Sequence, residues 1–233
     1  MMRSSAGDPP WVAPAIMWLF GLSAFLLLAA LARSNDHFPA DLWISRQVQG
    51  LDAEWFGRAA SFAYYMVTPP YIFGILLPAY VLLRKLYGGH RQALMLLVVP
   101  IGAVLTSLAK DHWVDRPATS LAITRGVTNS SGESFPSAPA ITAMLTFGLL
   151  LYFSLRIKRA SLRIPLQAFC LYAVIFTGLN RIYEGASWLS DVYGAFLLGA
   201  LILAVLIFAD TVWPRAGLPA GEPLAGREPR SIP

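Results

Sequence analysis

The chain has 233 residues, of which 56% are hydrophobic and only 13% are charged, and its formal net charge at pH 7 is +5. So apolar a composition excludes an ordinary soluble domain and predicts a protein that crosses the membrane several times. The basic residues stand at the ends of apolar runs rather than along an amphipathic stripe, so the positive charge indicates membrane topology and we expect no nucleic-acid partner.

Several apolar segments of the chain are candidates to cross about 30 Å of hydrocarbon, which takes roughly 17–25 helical residues. The first runs over residues 11–31 and lacks the cleavage site of a signal peptide, so we expect it to remain as a helix. Residues 38–65 alternate apolar and charged positions at helical spacing, which predicts an interfacial helix. Further apolar segments follow at residues 71–83, 93–108, 138–155, 166–179 and 189–208. The predicted fold is all-α: a six-transmembrane-helix bundle with an interfacial amphipathic helix between the first two spans.

The distribution of lysine and arginine predicts the orientation of the bundle. Loops 84–91 and 156–163 are basic and contain no acidic residue, so both should face the cytoplasm. The predicted organisation is then a cytoplasmic N-terminus at residues 1–10, a membrane domain at 11–211 and a disordered cytoplasmic tail at 212–233. The loops on the side of the membrane opposite to these two basic loops are expected to face outwards. The expected location is a bacterial inner membrane, with the outward-facing loops in the periplasm.

Three basic residues stand at the outer ends of apolar segments: Lys110, Arg116 and Arg181. A positive charge is costly to desolvate there unless an anion compensates it. The guanidinium fork of arginine matches two phosphate oxygens, and residues 134–140 can add hydroxyls and backbone N–H groups near a helix start. Taken together these residues predict a phosphate site, whereas any one of them alone could be a headgroup anchor.

The outer segments also have a recognisable order and spacing. They are Lys110 followed by Arg116-Pro117 with five residues between, then Pro136-Ser137-Ala138-Pro139, and then Arg181, Ser187 and Asp191. They resemble the three signature motifs of the type 2 phosphatidic acid phosphatase family, integral-membrane enzymes that also resemble vanadium haloperoxidases. In that family the first motif has one more residue between lysine and arginine, the second reads Pro-Ser-Gly-His, and the third has a histidine between arginine and aspartate. The resemblance extends over about residues 41–209 and implies the same fold.

The resemblance also implies roles for the residues of the site. In this family the histidine of the third motif is the nucleophile, the aspartate orients it, and the histidine of the second motif protonates the leaving group. Basic residues and backbone donors stabilise the transferring phosphoryl group. Carried over by position, the residues that would hold phosphate are Lys110, Arg116, Ser137 and Arg181.

Both motif histidines are replaced in this chain. Pro139 stands where the acid belongs and has no proton to donate, and Ser187 stands where the nucleophile belongs and needs a base to attack. Asp191 keeps its place, but a carboxylate is a weak base for an alcohol. His112 is a candidate substitute acid or base, the alternative being an interfacial histidine bonded to water or headgroups. His37 and His90 are not assigned to the site.

We therefore interpret the chain as a pseudo-phosphatase, an inactive member of the fold that binds a phosphorylated lipid or a membrane protein partner as a regulator or assembly subunit. The alternative is an active phospholipid or polyprenyl-phosphate phosphatase or phosphotransferase that uses Ser187 or His112. A third hypothesis is a collapsed pocket, in which Arg181 pairs with Glu184 or Asp191 and no phosphate binds. We expect membrane lipids as partners, no metal and no cofactor.

Overall fold

The computed structural model describes residues 11–87, 91–113 and 135–212, with side chains for residues 11–85, 92–105 and 135–212. These residues form helices and no strand, which confirms the all-α class. The helices are α1 (Val12–Ser34), α2 (Pro39–Gln49), α3 (Glu54–Met66), α4 (Tyr71–Tyr87), α5 (Arg91–Met95), α6 (Val98–Trp113), α7 (Ala138–Ser154), α8 (Ala160–Tyr183) and α9 (Leu189–Val212). The predicted N-terminal segment and nearly all of the predicted tail lie outside the described residues.

Several helices are long and apolar enough to cross a membrane. Among the described residues these are α1, α8 and α9, which have 23, 24 and 24 residues. A short break with a bend of 59° separates helices α3 and α4. Together the two helices are also long and apolar enough to cross a membrane. The apolar helices at residues 92–105 and 138–154 are shorter. The chain is therefore an integral membrane protein. That it has six membrane spans stays a prediction.

Helix α7 lies at the centre of the bundle. It packs against α6, α8 and α9, and Ile141, Leu145 and Phe147 on it are fully buried. Small residues let neighbouring helices approach closely, as expected in lipid. A Cβ atom added at Gly199 of α9 would lie 2.7 Å from Cγ of Met144 on α7, which is too close for a side chain. The spacing of α7 and α9 therefore depends on glycine at this position.

The amphipathic segment at residues 38–65 is two helices, α2 and α3, rather than one. A break at residues 50–53 separates them, beginning at Gly50, whose N–H still bonds to the carbonyl of Arg46 at 3.0 Å. Helix α2 starts with a proline, and the side chain of Asp41 accepts a hydrogen bond from the N–H of Phe38 at 3.1 Å. Trp43 points outwards and polar residues point inwards, so α2 is amphipathic with its polar face buried.

A buried carboxylate joins three helix ends at the end of the bundle opposite the α8–α9 turn. The side chain of Asp210, near the C-terminus of α9, is only 1% exposed. It accepts hydrogen bonds from Gln92 Nε2 of α5 at 3.2 Å, from Tyr152 OH of α7 at 2.8 Å and from Arg156 Nη2 at 2.5 Å. Because one acceptor serves three donors, its loss would release all three contacts together.

Replacing Asp210 by alanine is therefore expected to destabilise the bundle. Loss of a buried acceptor with three part-buried or exposed donors is expected to cost about 1–3 kcal/mol, and each kcal/mol lowers the midpoint of unfolding by about 2–4 °C for a chain of this size. Thermal unfolding in detergent, followed by circular dichroism, measures the effect. The control is Glu54→Ala, which breaks the exposed ion pair with Arg58 and should change little. A shift no larger than that of the control would contradict the prediction.

Candidate phosphate-binding site

The turn between α8 and α9 is fixed by its own backbone. The N–H of Ala186 donates to the carbonyl of Arg181 at 2.9 Å, and the N–H of Gly185 donates to the carbonyl of Ile182 at 3.0 Å. This pair of bonds is the Schellman arrangement that ends many helices. It needs a residue in the left-handed region, and Gly185 has a φ of 64°. The N–H of Ser187 also reaches the carbonyl of Arg181, at 3.1 Å, so the turn sets Ser187 next to the end of α8.

Two buried serine hydroxyls meet where this turn contacts the start of α7. Ser187 is 1% exposed and Ser137 is 0% exposed. Ser187 Oγ donates a hydrogen bond to Ser137 Oγ at 3.2 Å, and the N–H of Ser137 donates to the carbonyl of Asp191 at 3.3 Å. The structure thus brings together the second and third motif segments, which are far apart in the sequence.

Asp191 is fully buried in the first turn of α9. Its Oδ2 accepts a hydrogen bond from the backbone N–H of Trp188 at 2.7 Å. The first N–H groups of a helix have no partner within the helix, and a carboxylate at the third position commonly satisfies one of them. The carboxylate therefore stabilises the start of α9, in addition to any contact it makes in the site.

Arg181 combines burial with an unused donor. Its guanidinium lies 5.2 Å from the centroid of the Tyr64 ring, within range of a cation–π contact. Its Nε is buried and has no hydrogen-bond partner, and the neighbouring Asn180 has a buried Oδ1 that also has none. Among the described residues, no ion pair includes Arg181. Since buried polar groups normally have partners, this arrangement can accept an anion.

The structure describes only some of the remaining residues of the predicted site. Pro139 is the second residue of α7, a position where the missing N–H of proline costs nothing because a helix start leaves that group unpaired anyway. Lys110 and His112 belong to α6, in the part whose side chains are outside the description. Arg116 lies outside the described residues. The described part of the site therefore contains one cation, Arg181, and the serine pair.

His37 is a neighbour of the site that the sequence analysis left out. Its ring stacks on Trp188, with centroids 5.4 Å apart and an angle of 23° between the planes. Trp188 directly follows Ser187, so the α1–α2 connection lies over the third motif. No spacing rule links positions so distant in the chain, and the sequence carries no signal for this contact.

The fold and the arrangement of the motif segments define a helical membrane protein of the lipid phosphatase type. A family model of the PAP2 superfamily matches residues 92–213, which is more than half of the chain, and the chain therefore belongs to this superfamily. This confirms the resemblance inferred from the motifs.

Two relatives from Bacillus subtilis are similar to this chain. Phosphatidylglycerophosphatase B of strain 168 is 26% identical over 198 residues, which cover 81% of this chain and 90% of the relative. The crystal structure of the first transmembrane PAP2 type phosphatidylglycerolphosphate phosphatase from the same species superimposes with a TM-score of 0.71 at 20% identity, covering 85% of this chain and 98% of that one. At this identity the structural similarity shows the fold alone.

The serine pair predicts a non-additive effect on stability. Ser187→Ala leaves the buried Ser137 hydroxyl without its donor, at an expected cost of about 1 kcal/mol. The double variant Ser137→Ala/Ser187→Ala removes both groups and should be no less stable than the single variant, because neither hydroxyl is then left unsatisfied. Unfolding midpoints of the variants measure this, with Ser23→Ala on exposed α1 surface as the control. Additive losses would show that the hydroxyls do not depend on each other.

Proposed function

We propose that this protein binds a phosphorylated lipid at the site around Arg181, Ser137 and Ser187 and does not hydrolyse it. The observation that carries the proposal is the partner of the Ser187 hydroxyl. In the place of the family's nucleophile, this hydroxyl donates to another buried serine hydroxyl at 3.2 Å. A serine attacks a phosphoryl group only when a base accepts its proton, and a serine hydroxyl is not such a base. The contact therefore supports binding without covalent catalysis.

The position of the family's general acid supports the same proposal. Pro139 starts α7 and has no ionisable group. General acid–base assistance typically contributes about 10²–10⁴ in rate, so its loss alone would slow departure of the lipid alcohol severely. The carboxylate of Asp191 accepts the N–H of Trp188 at 2.7 Å, which gives it a structural role at the start of α9.

The capacity to bind an anion does not require the lost histidines. Arg181 offers a buried Nε–H without a partner, and Ser137 adds a hydroxyl at the start of α7, where the helix dipole favours negative charge. Lys110 and Arg116, at the positions of the first motif, would add two further charges. A guanidinium in a poorly solvated site binds a phosphate more strongly than the same group in water.

The relatives suggest which ligand to test first. One relative, which is 26% identical to this chain over 198 residues, is called phosphatidylglycerophosphatase B, so a phosphorylated glycerophospholipid is the ligand class we propose. A lipid that stays intact in the site would make the protein a lipid-dependent regulator or assembly subunit for a membrane protein partner. The site would face the periplasm of a bacterial inner membrane, with both termini in the cytoplasm.

The alternative function is an active phospholipid or polyprenyl-phosphate phosphatase or phosphotransferase. It requires either a base that activates Ser187 or an imidazole supplied by His112. Turnover of a phosphorylated lipid would demonstrate it, and loss of that turnover in one variant would identify the residue responsible.

The binding proposal predicts that Arg181→Gln weakens retention of phosphatidylglycerol phosphate by about tenfold or more, because charge-assisted hydrogen bonds contribute about 1.5–3 kcal/mol. Native mass spectrometry of the protein from nanodiscs containing phosphatidylglycerol phosphate and phosphatidylglycerol measures both lipids in one sample. The matched control is Arg58→Gln, since Arg58 is exposed and pairs only along its own helix with Glu54 in the described contacts.

The proposal is wrong if the wild-type protein shows no preference for the phosphorylated lipid. It is also wrong if Arg181→Gln and Arg58→Gln retain that lipid equally well. Equal retention of unphosphorylated phosphatidylglycerol by all three proteins is the expected internal control, since that lipid lacks the terminal phosphate.

A further inference from the structure

Helix α2 lies against the α8–α9 turn and presents a polar face to it. It packs on both α8 and α9. Asp41, Ser45 and Gln49 are 1%, 0% and 4% exposed, and residues four apart lie on one face of a helix. In a membrane bundle the apolar face of a helix can point to lipid, but buried polar groups still cost free energy unless they are hydrogen-bonded. The polar face of α2 therefore calls for a reason beyond packing.

The first contact of this face is made by Asp41. Its Oδ1 accepts a hydrogen bond from the N–H of Ser190 at 2.8 Å, and its Oδ2 accepts one from Ser190 Oγ at 2.7 Å. Oδ2 also accepts the N–H of Phe38 at the start of α2. One carboxylate thus holds the beginnings of two helices, α2 and α9, where backbone N–H groups need an acceptor and the helix dipoles favour negative charge. Ser190 directly precedes Asp191.

The second contact is made by Gln49, eight residues and about 12 Å further along α2. Its Nε2 donates a hydrogen bond to the carbonyl of Ile182 at 3.0 Å. Ile182 directly follows Arg181. The two contacts of α2 therefore lie one residue inside either end of the segment from Arg181 to Asp191.

Two buried atoms of the polar face make no hydrogen bond. Ser45 Oγ and Gln49 Oε1 are buried without a hydrogen-bond partner. Unsatisfied buried atoms lower stability, so the face as a whole is a poor solution for packing. The favourable polar contacts of this face are the two hydrogen-bonded contacts that it makes with the α8–α9 turn.

We propose that α2 is a positioning element, in which Asp41 and Gln49 hold the turn that carries Arg181, Ser187 and Asp191 in register with the start of α7. The turn's own Schellman bonds fix the end of α8, Asp191 caps the start of α9, and Asp41 adds a second carboxylate, from α2, at the N–H of Ser190. This helix lies outside residues 92–213, which match the superfamily model. The inference goes beyond lipid binding, because it concerns the geometry of the turn with or without a ligand.

Hydrogen–deuterium exchange of the lipid-free protein tests this positioning. Asp41→Ala should speed exchange of peptides covering residues 182–192 by about tenfold or more, because the N–H of Ser190 loses its acceptor. Exchange in α7, residues 141–149, should stay unchanged. Asp41→Asn keeps one oxygen as an acceptor for that N–H and should largely restore protection. Asp52→Ala, at an exposed carboxylate just beyond α2, is the matched control and should leave the turn as it is.

The proposal is overturned if Asp41→Ala leaves exchange at residues 182–192 unchanged, or if it raises exchange equally in α7. It is also overturned if Asp41→Asn behaves like Asp41→Ala. Should Asp41→Ala fail to fold, Ser190→Ala removes only the bond from Oγ and should cause a smaller increase confined to the same peptides; no increase would again overturn the proposal. Because no lipid is present, a failure of lipid binding would leave this result unaffected.

Discussion

The carbonyl oxygen of Arg181 is the atom on which the geometry of the site depends. It accepts the N–H groups of both Ala186 and Ser187. The resulting turn fixes the directions of two side chains and of helix α9. The Arg181 guanidinium is directed towards Tyr64, the Ser187 hydroxyl towards Ser137, and α9 begins so that Asp191 satisfies the N–H of Trp188. A backbone constraint of this kind does not depend on the identity of the side chains it presents.

The independence of the turn from its side chains is compatible with the replacement of both motif histidines in this chain. The turn presents whichever residue stands at position 187, and a serine there is accommodated by the hydroxyl of Ser137. At position 139 a proline fits, because the start of α7 has no need of its N–H. Under the proposed function, Arg181 binds the anion without a nucleophile or an acid in the site.

The sequence predicts the helices better than it predicts their contacts. The apolar segments at residues 11–31 and 189–208 correspond to α1 and α9, because uninterrupted apolar length is a direct requirement of the bilayer. The motif spacing identified the superfamily, which the family model confirms. The split of residues 38–65 was missed, because the helical spacing of the apolar residues continues across the break at residues 50–53. The inward polar face of α2 was missed because the partner of Asp41 is Ser190, near the other end of the chain. The roles of all the candidate site residues stay predictions, and the side chains of Lys110, Arg116 and His112 also lie outside the described part of the chain.

The most direct test of the account is phosphate release by the purified protein in nanodiscs, with phosphatidylglycerol phosphate, phosphatidic acid and undecaprenyl pyrophosphate as separate substrates. Phosphatidylglycerophosphatase B of Bacillus subtilis serves as the positive control, and Ser187→Ala and His112→Ala are measured beside the wild type. The account predicts no release above that of empty nanodiscs for any substrate. Release by the wild-type protein that disappears in Ser187→Ala or His112→Ala would contradict it.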